Sequence, residues 1–172
     1  MIDFSENLKK RFVYYTTFDT ESDPAKCGEV RPTTSGQEVL QRELLKELEE
    51  IGLDVYYGDE KVVMATLKGN IDAPAIGFIA HVDTADDVPG NGVKANVISP
   101  YKGGDIALKN DTLIKADEDE DLALYVGSDI ITSDGTTLLG SDDKAGVAII
   151  MEAIKYLKEH SEIKHGPVEV YF

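Results

Sequence analysis

Tryptophan is absent from this chain, and cysteine occurs once, at Cys27. A lone thiol excludes an intrachain disulfide and leaves no cysteine cluster for a structural zinc, so any metal must be held by histidine and carboxylate. Histidine is scarce as well, with 3 in 172 residues, which confines the search for imidazole ligands to His81, His160 and His165. Positive charge is in deficit: 17 lysines and arginines stand against 33 aspartates and glutamates, for a formal net charge of -16. Bulk electrostatic attraction to nucleic-acid phosphates or to an anionic membrane is thereby excluded. No run approaches the roughly 20 apolar residues that span a bilayer. The start, Met1-Ile2-Asp3-Phe4-Ser5-Glu6, has no basic segment followed by an apolar one. Secretion and membrane insertion are disfavoured, and a cytoplasmic location is expected.

What is present is enough apolar material, 42% of the residues, to bury one substantial core, and a single α/β unit is expected. Phe4, Leu8, Phe12 and Tyr15 recur at helical spacing. Residues 20–34 lose that period and carry Pro24, Gly28 and Pro32, the mark of a loop. Ser35 with Glu38 reads as a capping box opening a helix through Leu40, Leu44, Leu48 and Ile51, which Gly52 ends. Two strands follow, 53–57 and 61–67, on either side of Gly58-Asp59. The run 75–80 is apolar at nearly every position and reads as a central strand covered on both faces. From Val88 to Leu139 short β-like pieces alternate with Gly-containing turns, which suggests a long β-rich insertion. Val147, Ile150, Met151, Ile154 and Leu157 then repeat at helical spacing, and 168–172 begins another buried strand. The five consecutive acids from Asp117 to Asp121 read as a solvated loop.

Two short motifs carry the chemistry. His81-Val82-Asp83-Thr84 follows the apolar run, at the carboxyl end of a strand, where open α/β sheets place their ligands. A period of two would put His81 and Asp83 on one side, so that Asp83 can accept the imidazole N–H and orient the ring toward a metal. Gly140-Ser141-Asp142-Asp143-Lys144-Ala145-Gly146 places two carboxylates at the start of a helix. Taken singly, an H-x-D tripeptide is more often a loop histidine beside a turn aspartate, and Asp-Asp before a helix is more often a cap. Joint occurrence strengthens both, because the insertion between them can bring the two loops together. His160 at a helix end is expected to be exposed, and His165 to belong to a turn.

The stretches 76–85, 101–108 and 132–146, with Arg11-Phe12, Thr17 to Ser22, Thr34-Ser35-Gly36-Gln37 and Ile163 to Gly166, resemble the M20 family of zinc metallopeptidases, in particular its tripeptide aminopeptidases. The resemblance runs along nearly the whole chain. It implies a mixed central sheet flanked by helices, a two-zinc centre and a small peptide substrate, with neither nucleic acid nor membrane as partner and the oligomeric state open. It further implies that His81 is a ligand of one zinc and that Asp142 bridges the two. Asp83 would orient His81 and is counted among the catalytic residues, and the Asp142–Asp143 peptide would be cis. Residues 1–172 would form the N-terminal part of the catalytic domain. In the family the strand corresponding to 168–172 leads into a Glu-Glu pair, general base and zinc ligand, and neither residue is in this chain; the lid domain and remaining ligands also lie outside it. The chain alone is therefore expected to be inactive. Another M20 hydrolase, a dipeptidase or N-acyl amino acid deacylase, and a non-catalytic module are the alternative readings.

Overall fold

The computed structural model describes residues 3–172. Helix α1 (Ser5–Thr16) buries Phe12 and Tyr15, and α2 (Ser35–Ile51) buries Leu40, Leu44 and Leu48, one residue per turn along a single face. Gly52 ends α2 in the left-handed region at φ 85°, and the N–H of Leu53 reaches back to the Leu48 carbonyl at 3.1 Å. A glycine tolerates that conformation without Cβ strain. The start of α2 differs from the expected capping box. Thr34, not Ser35, holds the capping position, and no side chain caps it. The Thr34 hydroxyl is spent on the Glu21 carbonyl at 2.8 Å, while Glu38 pairs with Arg42 and Lys61.

Strands β1 (Asp54–Tyr57) and β2 (Val63–Leu67) pair antiparallel, as their spacing around Gly58-Asp59 suggests. Then come β3 (Ile76–Ile79), β4 (Asn96–Ile98), β5 (Ile106–Ala107), β6 (Leu113–Ile114), β7 (Ile130–Thr132), α3 (Ser141–Glu159) and β8 (Val168–Tyr171). The main sheet runs β1-β2-β8-β3, with β8 antiparallel to β2 and parallel to β3. Val63, Ala65 and Leu67 of β2 and Val168 and Val170 of β8 face the core, which the buried leucines of α2 and Val147, Met151 and Ile154 of α3 complete. Arg11 joins the helices, ion-paired with Glu47 of α2 and with Glu152 of α3. Leu44 is fully buried, and Leu44→Ala is expected to lower stability by about 2–5 kcal/mol, read from urea unfolding.

The four residues of β3 are all exposed, contrary to the covered central strand expected from their apolar run. β3 lies at the sheet edge, hydrogen-bonded only to β8 among the described residues, and Ile79 is 78% exposed. An apolar run reports what a segment is able to bury. Whether anything lies against it is decided by the other elements, and among the described residues none covers β3.

The β-rich insertion is real and includes β4, which the sequence reading did not separate. β4 pairs with β7 and β5 with β6, and Tyr101, Ile106 and Leu122 form a small core of their own. Its turns include Gly103 at φ 90° and Gly104 at φ 85°. Among the described residues no helix is long and apolar enough to cross a membrane.

Candidate functional site

The β3–β8 ladder closes where the Ala80 N–H meets the Tyr171 carbonyl at 3.1 Å, and the chain then leaves the sheet. Val82 turns into the core at 5% exposed, which leaves His81 and Asp83 on the opposite side. Thr84 is pinned to the segment after α1: its N–H donates to Thr20 at 3.0 Å, and its carbonyl accepts from Ser22 at 2.9 Å. The second motif arrives at the same place. Gly140, at φ 76°, passes so close to Thr84 that a Cβ would meet the threonine methyl at 3.3 Å.

Beyond Gly140 the two aspartates divide. Asp142 and Asp143 lack helical dihedrals, their peptide bond is cis, and regular helix begins after them. Asp143 Oδ1 accepts the Gly146 N–H at 3.2 Å, so the ordinary capping role belongs to Asp143. Asp142, with its side chain 94% exposed, is left free and faces His81, its Oδ1 standing 2.9 Å from His81 Nε2. On the other ring nitrogen, His81 Nδ1 lies 3.1 Å from Asp83 Oδ1 and 3.0 Å from the Asp83 carbonyl. The imidazole thus sits between two carboxylates. Burial pulls the His81 pKa down, but the hydrogen bond to Asp142 and the charge of Asp83 outweigh it, and the pKa ends above its ordinary value.

Imidazole and carboxylate are donor types that a metal ion such as zinc takes. With Nδ1 hydrogen-bonded to the Asp83 carbonyl and the Asp83 carboxylate close by, Nε2 is the nitrogen offered outward, beside a carboxylate oxygen of Asp142. Two donors each 2.0–2.1 Å from a tetrahedral zinc lie roughly 3.3 Å apart, so the 2.9 Å gap needs only a small opening. The set is partial, however: among the described residues no group of three or more His, Cys, Asp or Glu side chains is arranged to hold a metal. His160 and His165 are elsewhere. His160 is half-buried rather than exposed, stacked on Tyr156 at 3.9 Å between ring centres at the far end of α3. His165 lies in the turn before β8 with Nδ1 against the Gly166 carbonyl.

Two neighbours of the site lie in stretches that carried the resemblance but had no role assigned from the sequence. Ser22 Oγ donates to Asp83 Oδ2 at 2.9 Å, across 61 residues of chain. Lys144 is 2% exposed, with Nζ donating to the Phe18 carbonyl at 2.7 Å. Burial lowers the Lys144 pKa to about 8, with the charge of Asp19 acting in the opposite direction. Neither contact follows from a periodic pattern, because each joins groups distant in sequence, and Phe18, Ser22 and Asp83 lie outside helix and strand.

No protein-family model matches the chain. A peptidase T from Geobacillus kaustophilus is 47% identical over 97% of the chain, and the match spans 41% of that protein. The crystal structure of aminopeptidase PepT from Bacillus cereus superposes with a TM-score of 0.65 at 28% identity, covering 96% of this chain and 35% of that one. A tripeptidase structure from Staphylococcus aureus gives 0.63 at 25% identity with the same coverage. The chain thus spans about two fifths of the length of the curated relatives it matches. Over the part of those proteins that it spans, the chain is thus similar to curated peptidase T proteins along nearly its whole length, on the same fold.

Proposed function

We propose that the protein to which this chain contributes is a metal-dependent aminopeptidase that releases the N-terminal residue of tripeptides, with two zinc ions in its complete active site. The observation that carries this reading is the row Asp83–His81–Asp142, with 3.1 Å on one side of the imidazole and 2.9 Å on the other. In it, His81 and Asp142 are the residues that would hold the metal, His81 through its imidazole and Asp142 through its carboxylate. Zinc, when bound, lowers the pKa of a bound water and polarises the scissile carbonyl. Asp83 keeps the proton of His81 on Nδ1 and stabilises the charge the ring shares with the metal. Asp143, occupied with the Gly146 N–H, stays out of the metal site and fixes the helix from which Asp142 projects.

A proton acceptor for the attacking water is also needed. We assign it to a glutamate outside these 172 residues, take residues 1–172 as the N-terminal part of the catalytic domain, and expect the chain alone to be inactive. The acidic composition and single cysteine support a cytoplasmic setting.

The test begins with the gene beyond the codon for Phe172. A Glu-Glu pair within the next few residues and a long reading frame support the reading; an immediate stop overturns it for the natural protein. The purified longer protein is then assayed on tripeptides, dipeptides and N-acyl amino acids, before and after chelation and zinc return. Zinc-restored cleavage confined to tripeptides is the expected result. Preference for dipeptides or acyl amino acids would move the protein to another M20 activity.

A further inference from the structure

We infer that Ser22 is a positioning residue for the candidate metal centre, fixing the carboxylate plane of Asp83 and through it the ring of His81. This rests on the proposed role of His81. The two oxygens of Asp83 are divided: Oδ1 lies 3.1 Å from His81 Nδ1, which is hydrogen-bonded to the Asp83 carbonyl at 3.0 Å, and Oδ2 accepts the Ser22 hydroxyl at 2.9 Å. A carboxylate held by one oxygen swings about its Cβ–Cγ bond. Fixed at Oδ2 by Ser22, it keeps Oδ1 beside the imidazole in one direction. Groups that orient a metal-bound histidine are in turn hydrogen-bonded, and the Ser22 hydroxyl supplies that bond to Asp83.

Ser22 is built into the fold. Its own N–H is bonded to the Thr84 carbonyl at 2.9 Å, in a parallel bridge between Glu21 and Thr84. The Glu21 carbonyl accepts from the Thr34 hydroxyl at 2.8 Å, and its side chain accepts the Gly90 N–H at 3.0 Å. Four residues earlier, the Phe18 carbonyl is held by the buried Lys144 ammonium at 2.7 Å. Lys144 is next but one to Asp142, so the segment 18–22 is attached at one end to the helix of Asp142 and at the other to Asp83. One strap therefore sets both halves of the site. The side chains of Asp83 and His81 are about half exposed. Water is able to replace the lost hydrogen bond of a Ser22 variant but not its direction.

The test uses the 172-residue chain labelled with ¹⁵N-histidine, as wild type, Ser22→Ala and Ser22→Thr, with a thermal melt to confirm folding. Without metal, the proton on His81 Nδ1 is expected to be visible in the wild type, to exchange with solvent measurably faster in Ser22→Ala, and to return to the wild-type rate in Ser22→Thr. Removal of groups that orient a metal-bound histidine weakens metal affinity about 10–100-fold. Ser22 acts one bond further out, so a loss near the tenfold end is expected when zinc is titrated into Ser22→Ala. An unchanged Nδ1 exchange rate in Ser22→Ala, or a faster rate that Ser22→Thr does not reverse, overturns the inference whatever zinc does. His81→Ala is the control: equal zinc affinity in that variant overturns the metal-ligand reading while the metal-free result for Ser22 still stands or falls independently.

Discussion

Asp142→Asn in the complete enzyme is expected to lower kcat/KM on a tripeptide by about 10³-fold or more, and Asp143→Asn by far less. The residues are neighbours and chemically identical, so composition and propensity predict equal effects. Their environments differ. Asp142 faces His81 Nε2 at 2.9 Å with its side chain almost fully exposed, while Asp143 is turned back onto the Gly146 N–H at 3.2 Å. Asparagine keeps the size of Asp142 and removes the charge by which, in the proposed function, it would hold two cations. Since a metal supplies several kcal/mol of transition-state stabilisation and each 1.36 kcal/mol is tenfold in rate, loss of the bridge reaches thousands-fold. At Asp143 the amide oxygen still accepts from the backbone, and the expected cost is about 1 kcal/mol of stability or less. His81→Ala should match Asp142→Asn in activity and in bound zinc, and His165→Ala should match the wild type. Metal content by atomic spectroscopy, measured beside the kinetics, checks the assignment. Equal losses at Asp142 and Asp143 would show that the helix start, not the bridging carboxylate, is what matters.

Gly36→Ala is expected to be strongly destabilising, by about 3 kcal/mol, where helix propensity predicts a gain of up to about 1 kcal/mol. Gly36 lies in the first turn of α2 with ordinary helical dihedrals, a place where alanine is normally welcome. A Cβ there would fall onto the Asp19 carbonyl oxygen, well inside van der Waals contact, and within 2.9 Å of the Asp19 carbon. Both obstacles are backbone, so no rotamer change relieves them. Either the first turn of α2 or the segment 18–22 has to move, and that segment presents the Phe18 carbonyl to Lys144 and the Ser22 hydroxyl to Asp83. For a chain of this size the melting temperature should fall by roughly 6–12 °C, and zinc affinity should weaken with it. Gly28→Ala is the contrast. Its φ of 84° is strained for alanine but nothing lies within 4 Å of a Cβ, so about 1 kcal/mol is expected. A Gly36→Ala chain as stable as wild type would mean that α2 and segment 18–22 do not approach as closely as described.

The helices α1, α2 and α3 were legible because their apolar residues recur every three or four positions, and a local period survives whatever the rest of the chain does. Strands β1, β2 and β8 were legible for a similar reason, with Val and Tyr alternating between turn residues. The motifs of His81 and Asp142 were legible as residue types at the ends of such elements. The capping of α2 was misread, since the Thr34 hydroxyl is taken by Glu21, a partner 13 residues away. The covering of β3 was misread because an apolar run carries no information about which element lies against it.

The sequence by itself determined which segments become helix or strand, that any metal must be held by imidazole and carboxylate, and where the candidate ligands fall along the chain. Only the tertiary structure decided that Asp142 and not Asp143 meets His81, that Ser22 holds the far oxygen of Asp83, and that Lys144 buries its ammonium against Phe18. Periodicity is a property of neighbours in the chain. These contacts join residues 61 and 126 positions apart, and their directions are set by how the β3 loop, the segment after α1 and the start of α3 pack together.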